Sequence, residues 1–133
     1  MKLLVDTNVF LEVLLSDAKA AEAKALLENA GSHDLFVSDF ALHSIGLLLL
    51  RRNLPQTFVQ FLEDTIEEIG ISMASLSEKE LAAVVTNALA FGLDFDDAYQ
   101  YSVAEKYDLT VVSFDKDFDG TPRGRTLPAN IPQ

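Results

Sequence analysis

Apolar and polar positions along this chain switch between two periods, and the switches mark out its elements. Leu3-Leu4-Val5 is a short continuous apolar run that ends abruptly at Asp6, with Thr7 and Asn8 following. Such a run predicts a central strand of a parallel sheet, buried on both faces. Val9, Phe10, Val13 and Leu14 then recur at helical spacing until Ser16-Asp17 breaks the pattern. A second helix is expected over about 18–30, rich in Ala, Leu, Lys and Glu, with Gly31 just past its end. Leu35-Phe36-Val37 reads as a second strand. Ser38 or Asp39 caps a helix reaching about Arg52, whose far end (Ile45, Leu47, Leu48, Leu49, Leu50) is apolar nearly all round. Such a helix is either buried or meets another subunit. Pro55 suits the first turn of the next helix, whose stripe is Phe58, Phe61, Leu62 and Ile66.

The second half repeats the alternation. Residues 69–73 read as a third strand. Ser77 and Glu80 form a capping-box signature that opens a helix ending at Gly92. Asp96 caps a further helix to about Tyr107, residues 109–114 form a fourth strand, and Asp115 to Gly120 is a turn-rich loop. A short edge strand around Thr126-Leu127 closes the series. Strands alternating with helices predict βαβ units and a parallel sheet.

At 133 residues the chain reads as one domain over 1–133, long enough for a real core. It has no cysteine, which excludes disulfide scaffolds and thiolate metal sites. The first strand begins directly after Met1-Lys2, leaving no room for a signal peptide. The longest strictly aliphatic run, Leu47 to Leu50, is too short to span a bilayer. A soluble, cytoplasmic domain is the expectation.

Charge changes this picture. Ten basic residues against 21 acidic give a net charge of −11, which argues against nonspecific affinity for nucleic acid or anionic membrane. Between Asp94 and Asp119 there are eight acids and two bases, with apolar residues interleaved throughout, so this acidic segment is folded. Three acidic sites of the chain share one local setting. Asp6 follows a strand, Asp97 lies in the first turn of a helix, and Asp115 follows a strand with Asp117 two residues on. In a parallel sheet these acids converge at the carboxyl edge, where such folds collect functional groups. Packed carboxylates repel, and the relief is either a shared proton with raised pKa values or a divalent cation. Mg2+ and Mn2+ take hard oxygen ligands, and a bound ion activates water and stabilises in-line displacement at a phosphate. Each acid also has an ordinary reading: Asp6 as a helix cap, Asp97 as a partner of the helix dipole, Asp115 and Asp117 as turn residues. Asn8, Thr7 and Ser113 read as local hydrogen-bonders, His33 as a loop residue and His43 as structural.

Three segments carry a resemblance. Val5-Asp6-Thr7-Asn8-Val9-Phe10, Phe95-Asp96-Asp97-Ala98-Tyr99 and Val112-Ser113-Phe114-Asp115-Lys116-Asp117-Phe118 are similar, in order and spacing, to motifs of the PIN-domain family, which includes the toxin nucleases of VapBC-type toxin–antitoxin pairs. The resemblance implies a three-layer α/β/α sandwich around a five-stranded parallel sheet of order 3-2-1-4-5. It also implies Mg2+- or Mn2+-dependent hydrolysis of phosphodiesters, usually of RNA. Carried onto this chain, Asp6, Asp97 and Asp115 are the catalytic metal ligands or orient the attacking water, Asp117 is an auxiliary acid, and Asn8 and Ser113 support them. The family's Glu on the helix after the second strand falls on Ser44 here. A serine hydroxyl cannot supply that charge, although it can hold a metal-bound water; Asp39 is the nearest acid able to substitute. The implied partners are an RNA substrate, an antitoxin covering the acidic pocket, and a second copy of the chain at the apolar helix around Leu47 to Leu50. Arg51, Arg52, Lys116, Arg123 and Arg125 are the bases considered for holding substrate. The alternatives are a PIN fold that binds without cleaving, its site decayed at Ser44, and a haloacid-dehalogenase-type phosphatase. The latter needs an acid where Asn8 stands.

Overall fold

The computed structural model describes residues 1–132. Four parallel strands form the sheet: β1 (Lys2–Val5), β2 (Asp34–Ser38), β3 (Ser72–Ala74) and β4 (Thr110–Val112), in the order β3-β2-β1-β4. The central strand pairs Leu3 with Leu35 on one side and Leu4 with Val111 on the other. Six helices accompany it: α1 (Thr7–Leu14), α2 (Ala20–Glu28), α3 (Asp39–Arg51), α4 (Pro55–Leu62), α5 (Leu81–Phe91) and α6 (Phe95–Tyr107).

The pleat divides the strand side chains between two cores. Leu3, Val5, Leu35, Val37 and Val112 face α1, α2, α3 and α4, packing on Phe10, Leu26, Ile45 and Phe61. Leu4 and Val111 face the other way, onto Val84 of α5 and Tyr101 and Val103 of α6. Because β1 is buried on both faces, it reads as a continuous apolar run with no alternation. The result is the three-layer α/β/α sandwich that the family resemblance implies, built on the parallel sheet that the strand–helix alternation predicts.

Three expectations change in detail. The fifth strand is reduced to a single parallel bridge between Val112 and Thr126. Thr126 donates its amide to the Val111 carbonyl and accepts from the Ser113 amide (2.8 and 3.1 Å), but Pro128 has no amide to continue the ladder and opens a 3-10 turn. The third strand starts later, at Ser72, because α4 runs on as a π-helical segment (Glu63–Ile69). Gly70, at φ +80°, ends it, and the Ile71 amide turns back onto the Thr65 carbonyl (3.1 Å). The cap of α6 is Asp94, not Asp96: the Asp94 carboxylate accepts from the Asp97 amide at 2.9 Å.

Close packing of α3 on α4 depends on Gly46, where a Cβ would come within 2.9 Å of the Phe58 ring. On the outer side of α3, Leu47 and Leu50 stand 45% and 58% exposed, so its apolar far end is only partly covered by its own chain. Among the described residues no helix is long and apolar enough to cross a membrane.

Candidate metal and phosphodiester site

The carboxyl edge of β1 and β4 opens into a cleft of about 190 Å3 lined by residues including Asp6, Asn8, Ser44, Asp97, Gln100 and Asp115. Every element ending there delivers a polar group. β1 stops at Asp6, which caps α1 through the Thr7 amide. β4 leads through Ser113 to Asp115, and α6 contributes Asp97 in its first turn and Gln100 one turn on. A larger recess of about 730 Å3 lies between α1, α2 and α4, with Phe10, Val13, Leu14, Leu27 and Phe61 in its walls. It gathers no cluster of catalytic groups, so the chemistry belongs to the smaller cleft.

Asp6 is held on all sides. One carboxylate oxygen accepts from the Thr7 amide (2.9 Å) and Gln100 Nε2 (2.8 Å). The other accepts from Ser113 Oγ (2.7 Å) and Asn8 Nδ2 (3.3 Å). Ser113 and Asn8 also meet each other at 3.1 Å, and Asn8 Oδ1 accepts from the Phe114 amide at 3.2 Å. Burial pushes the Asp6 carboxyl up from its ordinary value, against the pull of these donors. Four donors occupy the lone-pair directions that a carboxylate offers.

Asp97 and Asp115 are less constrained. The group of acids whose oxygens lie within 4.8 Å of one another is Asp97, Asp115 and Asp117. Asp115 caps the following turn by accepting from the Asp117 amide at 2.9 Å, and its own amide donates to Ser113 Oγ, also at 2.9 Å. Burial and the neighbouring charges of Asp115 and Asp94 push the Asp97 carboxyl up to about 8. With these neighbours, Asp97 keeps its proton near neutrality unless a cation takes its place.

Does a hard divalent ion fit these residues? Opposite oxygen ligands of one Mg2+ are about 4 Å apart, so a small side-chain rotation or one intervening water brings the three acids into range. A second observation supports the fit. Gln100 must turn its NH2 toward the Asp6 carboxylate, which can only accept, and its Oε1 is then buried without a partner. A polar cleft wall with an unmet acceptor suits a hydrated ion, whose waters are donors.

All seven residues singled out in the sequence meet at this edge: Asp6, Asn8, Ser44, Asp97 and Asp115 in the cleft wall, Ser113 behind Asp6, and Asp117 against Asp97 and Asp115. Asp39 does not substitute at Ser44; its carboxylate accepts from the Tyr99 hydroxyl (2.8 Å) and the Phe40 amide. Two of the five bases considered for substrate are already engaged. Arg123 pairs with Asp108 at 2.8 Å; Arg125 grips Asp119 with two nitrogens and reaches the Ser113 carbonyl. Gln100 was not anticipated, although its place one turn after Asp97 put it on the same helix face.

The fold has counterparts among solved structures. A toxin–antitoxin complex from Klebsiella pneumoniae matches with a TM-score of 0.73 at 23% identity, covering 96% of this chain and 98% of that one. VapC20 of Mycobacterium tuberculosis, a sarcin-ricin loop cleaving toxin, matches with 0.73 at 20% identity, covering 88% and 92%. FitAcB from Neisseria gonorrhoeae gives 0.69 at 22%, covering 97% and 99%. At these identities the likeness is one of fold. No curated protein matches the chain. The family model for the PIN domain matches residues 3–124, nearly the whole chain and all of the cleft, and the protein belongs to the PIN domain family.

Proposed function

We propose that this protein is a divalent-metal-dependent endoribonuclease and the toxin half of a toxin–antitoxin pair. The observation that carries this reading is the meeting of Asp6, Asp97 and Asp115 in one cleft from three separate elements. Asp97, Asp115 and Asp117 would hold Mg2+ or Mn2+, with Asp6 reaching it through a water or by releasing one of its donors. The ion, when bound, lowers the pKa of water and offsets charge at the phosphate. Asp97 would lose its proton on becoming a ligand. Asp6, whose lone pairs are taken by Thr7, Asn8, Gln100 and Ser113, would align the attacking water by exchanging one of these donors for it. Ser113 couples Asp6 to Asp115, since its hydroxyl donates to Asp6 while accepting from the Asp115 amide.

The partner proposed is an antitoxin whose basic segment covers the cleft; an edge of clustered carboxylates on a chain of net charge −11 calls for positive charge. Two of the structural neighbours cited above are themselves toxin complexes or toxins by description. A second copy of the chain is proposed at Leu47, Leu50 and Phe58, which line an apolar recess of about 420 Å3 with His43 and Gly46. Sedimentation that finds only monomer would remove it.

The test is cleavage of RNA with Mn2+ by the wild type, Asp6→Asn and Asp97→Asn. Loss of cleavage in both variants, with folding intact, is expected. A second reading, a PIN fold that binds RNA without cutting it, is favoured by Ser44 in the cleft wall, where the family resemblance implies an acid. It predicts that wild type leaves RNA intact and that Ser44→Glu confers cleavage.

A further inference from the structure

An acidic chain that acts on RNA has to find its affinity somewhere. Among the described residues, Lys24, Lys106, Arg123 and Arg125 are spent in ion pairs with Glu28, Glu80, Asp108 and Asp119. The cleft wall itself contains no Lys or Arg. The cleft wall therefore offers no cation for phosphate contacts, the usual source of binding to nucleic acid, and Lys116, between Asp115 and Asp117, is the nearest one along the chain. Stacking on aromatic rings is the alternative, because it does not depend on the sign of the protein's charge.

The cleft has such a platform. Phe40, in its wall, belongs to an aromatic group with Tyr99 (centroids 5.3 Å apart) and Phe95 (6.3 Å). Tyr99 is fixed by donating to Asp39 and accepting from the Leu76 amide, so the group is anchored from below. Phe95 begins α6 two residues before Asp97 and is 49% exposed. Two other accessible rings are covered by cations of their own chain: Lys106 lies over Tyr107 and Lys19 over Phe114, each 4.9 Å from the centroid. Phe95 has no cation over it among the described residues; half of its surface packs toward Phe40 and Tyr99 and half is open to solvent beside the cleft.

We propose that Phe95, backed by Phe40, is a base-stacking subsite that takes an unpaired nucleobase next to the scissile phosphate. This rests on the ribonuclease reading and adds the substrate form: a single strand or loop whose base can leave its own stack. A base paired within a duplex cannot reach the ring. Purines, with the larger face, bind better than pyrimidines.

The chain has no tryptophan, so Phe95→Trp introduces a single reporter at the subsite. In Ca2+, its emission is titrated with a short single-stranded RNA, a duplex of the same length, and inorganic polyphosphate. Quenching by the single strand alone is expected. In cleavage assays, Phe95→Leu raises KM about tenfold, the effect of one lost base–aromatic stack, with kcat little changed, and Phe95→Trp restores KM. Equal quenching by polyphosphate, or no quenching, overturns the proposal. So does an unchanged KM in Phe95→Leu with an unchanged melting temperature. If Phe95→Leu instead alters sedimentation while KM stays the same, a second copy covers the ring and the subsite is refuted. Should the wild type cleave nothing, the ribonuclease reading fails, and the fluorescence titration still decides whether a base binds here.

Discussion

Replacing Asp97 by Asn should make the metal-free protein more stable, although Asp97 stands at the centre of the candidate site. The reasoning is electrostatic. Two carboxylate charges within 4.8 Å repel by about 3 kcal/mol at an effective dielectric constant of about 20. Asp97 is 8% exposed and feels Asp115 and Asp94 directly, whereas Asp117 is exposed and its share is largely screened. Asn keeps the shape, keeps the amide bonded to Asp94, and removes the charge. The gain in EDTA at pH 8.5 should be about 2 kcal/mol, or about 6–8 °C in Tm for a domain of this size. Its pH dependence follows from the raised pKa of about 8. The folded form holds the Asp97 proton more tightly than the unfolded chain does, so stability from this group is complete below the unfolded value near 3.8 and drains away as pH rises to about 8. The advantage of Asn is therefore small at pH 5, grows with pH, and levels off above 8. Saturating Mn2+ should reverse the order, since an ion at a hundred times its Kd adds about 2.7 kcal/mol to the wild type and little to the variant. Thermal or urea unfolding at the two pH values, with EDTA and with Mn2+, measures all of this. A variant no more stable than wild type at pH 8.5, or a gain that does not change with pH, would refute the claim that these carboxylates repel one another in the metal-free protein.

Other substitutions test separate parts of the account. Ser44→Glu adds a carboxylate to the cleft wall; it should lower the Tm of the metal-free protein and tighten Mn2+ binding in calorimetry relative to wild type. Gln100→Met removes the donor to Asp6 together with the buried orphan acceptor; metal-free stability should move by less than about 1 kcal/mol, while Mn2+ affinity falls about 10–100-fold. Gly46→Ala places a methyl 2.9 Å from the Phe58 ring; urea unfolding should show a net loss of about 1 kcal/mol despite the better helix propensity of Ala, and the loss should shrink in a Phe58→Leu background.

Where the sequence was legible, one physical signal dominated each position. The run Leu3-Leu4-Val5 could hardly be anything but a strand covered on both faces, and it is. The capping box at Ser77 and Glu80 appears as written, with the Ser77 amide on Glu80 at 2.9 Å. Legibility failed where two local solutions were nearly equal. Asp94 and Asp96 are both capable caps; the backbone at Asp94 is extended (ψ 173°), and its carboxylate reaches the Asp97 amide, which leaves Asp96 free in the cleft wall. Ile69 and Ile71 are β-branched like strand residues, yet Ile69 closes the π-helical run and the Ile71 amide is spent on the Thr65 carbonyl. Arg123 and Arg125 looked like cations available to a substrate because nothing in a linear sequence tells that Asp108 and Asp119 sit within 3 Å of them.

The same limit explains why the acids could be found but not told apart. Their positions follow from strand ends and helix starts; their states follow from which donors the fold brings to each. Asp6 meets Thr7, Asn8, Gln100 and Ser113, and only the first two lie beside it in the chain. Its lone pairs are committed and its geometry is fixed before any ligand arrives. Asp97 meets other acids instead, and its carboxylate takes no donor from the cage that holds Asp6. The site thus contains one carboxylate whose geometry is fixed by four donors, although burial still raises its pKa, beside a group that is crowded by other acids and pushed up to about 8, and the second gains more by exchanging a proton for a cation. Ser113 joins Asp6 to Asp115, donating its hydroxyl to the Asp6 carboxylate and accepting from the Asp115 amide, so an ion that pulls on Asp115 is felt at Asp6. A Ser113→Ala variant should therefore impair cleavage through Asp6 even where Mn2+ binding, read by calorimetry, is largely kept; loss of both in equal measure would show that the hydroxyl serves the metal ligands alone.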